Sequence, residues 1–172
     1  MPFIDFASWP LELSVLGRVL AAMILGGLIG FERELKSQSA GLRTHMLIAG
    51  AAALIVGLGH LLVRDYSDEA FRELVQVDPV RLIEAVVAAV GFVGAGTIIR
   101  RREGEEVQGL TTAASLLMAA GIGIAAGLEN YVLAGGASLL CLIVLCLIVL
   151  WLLGLWEKRV LGSKPDDGEP AS

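Results

Sequence analysis

Runs of roughly twenty apolar residues, cut by tight clusters of charge, limit what this chain can fold into. The clearest boundary is Gly26 to His45, GGLIGFERELKSQSAGLRTH. It leaves an apolar run, crosses Glu32, Arg33, Glu34 and Lys36, and re-enters apolar sequence through Gly41-Leu42-Arg43-Thr44-His45. Read physically, one membrane helix leaves the bilayer there and the next one enters. Of the 172 residues, 56% are hydrophobic and 18% charged, and the mean hydropathy is +0.75. A soluble domain of this size could not hide that much apolar surface, so the expected fold is an all-α, polytopic integral membrane protein.

Five spans are expected, at about 11–31, 46–63, 80–99, 110–128 and 131–156. Trp9-Pro10 opens the first, with proline tolerated in a first helical turn and Trp9 suited to the interfacial belt. Arg18 falls inside that run, where a cleavable signal would carry no charge, so the segment is read as a retained membrane helix. Ser67–Val77 places Phe71, Leu74 and Val75 at spacings that suit a short surface helix as well as a solvated loop. Asp78-Pro79 reads as cap and first residue of the third span, and Arg100-Arg101-Arg102 stops it. Glu129-Asn130 makes a tight turn into the fifth span, and the polar tail 157–172 is expected to be disordered. Cys141 and Cys146 sit deep in apolar sequence, where cysteine behaves as a small hydrophobe.

Orientation follows from Lys and Arg. Arg33, Lys36 and Arg43, then Arg100 to Arg102, then Lys158, Arg159 and Lys164 all fall on one side of a five-span arrangement. That side is expected to be cytoplasmic, with the N-terminus outside, although Arg64, Arg72 and Arg81 dilute the contrast.

A gapless shift of 68 positions lays the first hairpin on the second. Gly41-Leu42-Arg43-Thr44 falls on Gly109-Leu110-Thr111-Thr112, and Gly26 falls on Gly94. A pair of parallel repeats plus one added helix is one reading; shared membrane composition is the other. Small residues at Ala22, Gly26 and Gly30 suit close helix packing in lipid.

Arg18 and Glu84 are the ionisable residues well inside expected spans, about seven and five residues below their outer ends, so at ~1.5 Å per residue they share a depth. An intramembrane ion pair between them is a candidate, functional or purely structural, and snorkelling to the nearby interface is the other reading. At the other face the topology gathers Glu32, Arg33, Arg43, Thr44, His45, Thr97, Arg100, Thr111, Thr112 and Ser115. Singly these are snorkelling charges and caps; together they suggest a site or docking surface. Arg33, Arg43 and Arg100 crowd the carboxylates that a magnesium ion would need, and the midplane residues Met23, Ala52, Val90, Met118 and Leu142 offer an ion no polar path. No nucleophile–base constellation or phosphate loop stands out, so no enzyme, no cofactor and no nucleic-acid partner is expected.

GGLIGFERE (Gly26 to Glu34), GLRTH (Gly41 to His45), DPVR (Asp78 to Arg81), GFVGAGTIIR (Gly91 to Arg100) and GLTTAAS (Gly109 to Ser115) together resemble the MgtC/SapB family. The resemblance implies a multi-helix bacterial inner-membrane protein linked to adaptation to low magnesium and, in pathogens, to survival inside host cells. It also implies roles for Asp78 and Arg81 on the outer side. Virulence-type members carry a soluble C-terminal domain where this sequence has a short tail. Glu84 stands where that pattern is not expected to carry an acid. The expected function is regulation or partner binding in magnesium-linked physiology, with the membrane ATP synthase as the partner the resemblance suggests. The alternative is a transporter of magnesium or another ion working as a homo-oligomer.

Overall fold

The computed structural model of the chain describes residues 9–65, 78–100 and 107–161. Among them are five helices: α1 (Trp9–Leu35), α2 (Leu42–Asp65), α3 (Pro79–Thr97), α4 (Leu110–Gly127) and α5 (Tyr131–Leu161). The first four are long and apolar enough to cross a bilayer, and the helices fall where the apolar runs place them. The chain is an all-α, multi-pass membrane protein. The Ser67–Val77 segment, the Arg101–Glu106 part of the charged loop and the polar end after Leu161 lie outside the described residues.

The helix ends follow local chemistry. Asp78 caps α3 as expected, its carboxylate accepting the Val80 N–H at 2.9 Å, with Pro79 in the first turn. α3 stops two residues short of the expected 99, because Ile98 turns extended. Ile99–Arg100 (β1) then pairs antiparallel with Val107–Gln108 (β2). Gly109 follows at φ +93°, and a Cβ there would run into the Thr97 carbonyl, so this position requires glycine. At the end of α4 the Asn130 and Glu129 N–H groups close back on the Ala125 and Ala126 carbonyls at 2.9 and 3.0 Å. That is a Schellman ending with a non-glycine left-handed residue, Glu129 at φ 64°.

α4 is the hub of the bundle. On one side Ala119, Ile122 and Ala126 pack with Ala22 and Ile29 of α1, Ala49 and Ala53 of α2, and Ala134 and Leu145 of α5. On the other, Leu116, Ala120 and Ile124 meet Ala52 and Val56 of α2 and Val86 and Val90 of α3. The core is mostly alanine because backbones touch. A Cβ on Gly26 would lie 2.6 Å from Ala49 Cβ and 2.8 Å from the His45 carbonyl oxygen, and one on Gly123 would strike the Ala49 carbonyl. Close packing of small residues is the source of helix association in lipid, and the α1 stripe does that work. Cys141 packs beside the first cluster, and both cysteines are free thiols.

At the matched positions of the hairpin echo, Gly26 lies against Ala49 and His45, and Gly94 lies against Ala113, which stands 68 positions after His45. α5 lies outside this pairing and packs on α1 and α4. It runs parallel to α1: Ser138 Oγ donates to the Leu25 carbonyl at 3.2 Å, and Lys36 Nζ donates to the Leu145 carbonyl at 2.8 Å.

Candidate functional site

The ends of α1, α2 and α4 that meet around Glu32 bury an unusual amount of polarity. Glu32 is 9% exposed, Arg33 5% and His45 0%, with Thr112 and Ser115 also buried. α1 delivers Glu32 and Arg33 from its last turn and Lys36 just past its end, where a cation suits the helix C-terminus. Lys36 pairs with Glu32 one turn back, and Arg33 Nη1 stands 3.8 Å from the other Glu32 oxygen. Neither carboxylate oxygen takes a well-formed hydrogen bond, and Arg33 Nε has no partner.

His45 ties α2 to α4. Its Nδ1 lies 2.9 Å from the Gly41 carbonyl and its Nε2 3.0 Å from Ser115 Oγ, while Ser115 Oγ lies 2.8 Å from the Thr112 carbonyl. A carbonyl only accepts, so Nδ1 carries a hydrogen. With a neutral ring, the Ser115 hydroxyl donates to Nε2. With a charged ring, Nε2 donates to Ser115 and the hydroxyl turns to Thr112. A hydroxyl–imidazole contact is also the geometry of a nucleophile and its base. Here the ring is wholly enclosed by helix packing, and the contact joins two helices.

The rest of the expected cluster divides. Thr97 Oγ1 donates to the Gly94 carbonyl of its own helix at 2.7 Å. Arg43 and Thr111 are exposed and Thr44 half-buried, and Arg100 lies in β1. Lys36 and Glu34 were expected at this face without their partners, and Leu145 was not anticipated. Lys36 neutralises Glu32, a pairing its i,i+4 spacing could have announced. Glu34 accepts the Leu42 N–H at 2.8 Å and so caps α2 from the preceding helix. Leu145 lends a carbonyl from α5. Among the described residues no group of three or more His, Cys, Asp or Glu side chains gathers as metal ligands do.

The candidate Arg18–Glu84 pair is not formed. Arg18, 5% exposed, instead pairs with Glu129 in the α4–α5 turn, donates to the Gly127 carbonyl at 3.2 Å and reaches Ser14 Oγ at 3.3 Å. Depth alone suggested Glu84. Rotation about α3 decides otherwise, because Glu84 is exposed on the side of α3 away from its buried residues Val86, Val90 and Gly94. Asp78 and Arg81 stand at the same end as Arg18, both exposed, with Arg81 Nε 3.8 Å from Asp78 Oδ2.

No solved structure matches the chain significantly. Curated sequences do. The protein MgtC of Salmonella typhimurium is 40% identical over 124 residues, 72% of this chain and 48% of its own length. YhiD of Escherichia coli K12, provisionally named a magnesium transporter, is 39% identical over 129 residues, 74% of this chain and 57% of its own. An uncharacterised protein of Haemophilus influenzae is 38% identical over 118 residues, 69% of this chain and 48% of its own. The chain thus spans about half the length of the curated relatives it matches. The model of the MgtC family matches residues 19–151, which takes in all of α2, α3 and α4 and most of α1 and α5. The chain belongs to the MgtC family.

Proposed function

We propose that this chain acts in the bacterial inner membrane as a regulator that binds a membrane partner in magnesium-linked physiology. Its N-terminus lies outside and the Glu32 end faces the cytoplasm. The observation that carries the reading is the state of Glu32. Its carboxylate is enclosed between Lys36 and Arg33, so among the described residues the acid buried at this end serves the protein's own cations and not a passing one. The enclosed polar groups hold three helix ends in fixed register. Arg43 and Thr111 stand exposed on that frame and are the groups a partner would touch. The ATP synthase suggested by the family resemblance is the first partner to test.

The transport reading has one observation in its favour, the name given to the Escherichia coli relative. Magnesium flux into proteoliposomes separates the two. Regulation predicts no flux above empty vesicles and copurification of a stoichiometric partner that Arg43→Glu releases. Magnesium-selective flux abolished by Glu32→Gln would overturn the proposal. Orientation is tested by cysteines placed at Ser37 and Ser67, which should label from opposite sides of the membrane.

A further inference from the structure

The failure of the Arg18–Glu84 pair leaves an acid inside a membrane-spanning helix with no partner among the described residues. Among the described residues Glu84 has no hydrogen bond or ion pair. It lies five residues beyond Pro79, about 7.5 Å along the helix, and two beyond Leu82, whose side chain fills the space over Gly59 of α2. Ionisable side chains in spans normally face protein or water and are paired. This one faces outward.

It is not alone on that face. Glu84, Ala88, Gly91 and Ala95 recur at spacings of four, three and four, one stripe of a helix. All four are exposed, and a Cβ on Gly91 would meet nothing within 4 Å. One turn before Glu84, Arg81 stands 83% exposed, with only a 3.8 Å approach to Asp78. The buried side of α3 meets α2 and α4 through Val86, Val90 and Gly94. This flank of α3, turned away from the buried side, is therefore a track of small residues with an acid and a base at its outer end and the exposed Phe92 beside it.

We propose that this track is a parallel interface with a second copy of the same chain, α3 against α3 across a twofold axis. The occupant follows from charge. In a membrane a twofold pair keeps both helices in the same direction, so each Glu84 meets the other copy's stripe at its own depth. Among the described residues the cation at that end of the track is the other copy's Arg81, one turn nearer the outer surface, where an arginine's reach and a glutamate's outward tilt close the gap. The pairing is made twice by symmetry, and the small residues below it let the backbones approach. It requires nothing of the Glu32 end and stands apart from the proposed function.

The test uses the full chain in native membranes, with Cys141 and Cys146 changed to Ser and one new cysteine per variant. Ala88→Cys should crosslink to a dimer under mild oxidation, while Val132→Cys, on the 93% exposed surface of α5, should not. Adding Glu84→Arg should lower the Ala88→Cys dimer at least tenfold, and further adding Arg81→Glu should restore it. Three results would overturn the proposal: equal crosslinking at Ala88 and Val132, a dimer indifferent to the charge change, or an adduct with a different protein. Gly91→Leu reads the same interface by size, and it should abolish the crosslink while leaving thermal stability in detergent unchanged.

Discussion

The contact between His45 and Ser115 makes the sharpest prediction about stability. Ser115→Ala removes one oxygen from helix α4 and changes little else in shape. That oxygen serves His45 Nε2 at 3.0 Å and the Thr112 carbonyl at 2.8 Å, and both side chains are buried. The loss leaves an enclosed ring nitrogen without a partner, which costs about 1–3 kcal/mol. Alanine recovers about 0.5 kcal/mol of helix propensity, so the net loss is roughly 0.5–2.5 kcal/mol. Reversible unfolding in bicelles, followed by tryptophan fluorescence, would measure it. Thr111→Ala, one turn away and exposed, supplies the background for an α4 substitution. His45→Ala and the double variant complete the cycle, and the coupling should approach 1 kcal/mol. If Ser115→Ala costs no more than Thr111→Ala, and the two buried changes add within about 0.5 kcal/mol, the link between α2 and α4 holds nothing.

Other perturbations follow from the same contacts. Gly123→Ala drives a methyl into the Ala49 carbonyl and should destabilise by about 1–3 kcal/mol, whereas Gly121→Ala, with nothing within 4 Å, should be neutral or stabilising in the same unfolding assay. The cycle of Arg18→Gln with Glu129→Gln should show coupling, held to about 1 kcal/mol or less by the solvent around Glu129, while Arg18→Gln with Glu84→Gln should be additive. Lys36→Met leaves the Glu32 carboxylate enclosed with only the longer Arg33 approach and should cost roughly 3 kcal/mol. Adding Glu32→Gln should return part of that stability, and no recovery would show that Lys36 acts through Leu145 instead.

Much of this architecture was legible because membrane helices announce themselves by length, and small residues by spacing. What depended on rotation about a helix axis was not. Arg18 and Glu84 do share a depth, yet depth is one coordinate of two, and Glu84 points away from the bundle. The true partner, Glu129, sat in a turn read as a simple reversal. Its left-handed backbone, which costs a non-glycine residue about 1–2 kcal/mol, is understandable once its carboxylate is seen to hold Arg18. The cluster around Glu32 was anticipated as a gathering of residues, but not its division into enclosed members and exposed ones. Nothing in the sequence says that His45 turns toward Ser115, because that follows from how α2 and α4 are rotated where Gly123 lets them touch. β1 and β2 were missed for a local reason: Ile98 and Ile99 are as apolar as the helix before them, and only the left-handed Gly109 fits the Thr97 carbonyl.

The register of α5 bears on what can approach the Glu32 end. Lys36, just past the last residue of α1, meets Leu145, and α5 continues for sixteen residues to Leu161, about 24 Å at 1.5 Å per residue. α1 has ended, α2 begins only at Leu42, and α4 begins at Leu110, so the fifth helix runs on beside the end of the bundle. A partner seated on Arg43 and Thr111 would meet the flank of that helix as well as the helix ends. The hydrogen bonds from Lys36 and Ser138 to α1–α5 carbonyls fix its position relative to the enclosed cluster. Glu32 is therefore linked to both, to the helix ends it sits among and, through Lys36, to α5. A partner that reads both surfaces would respond to Glu32 without ever touching it.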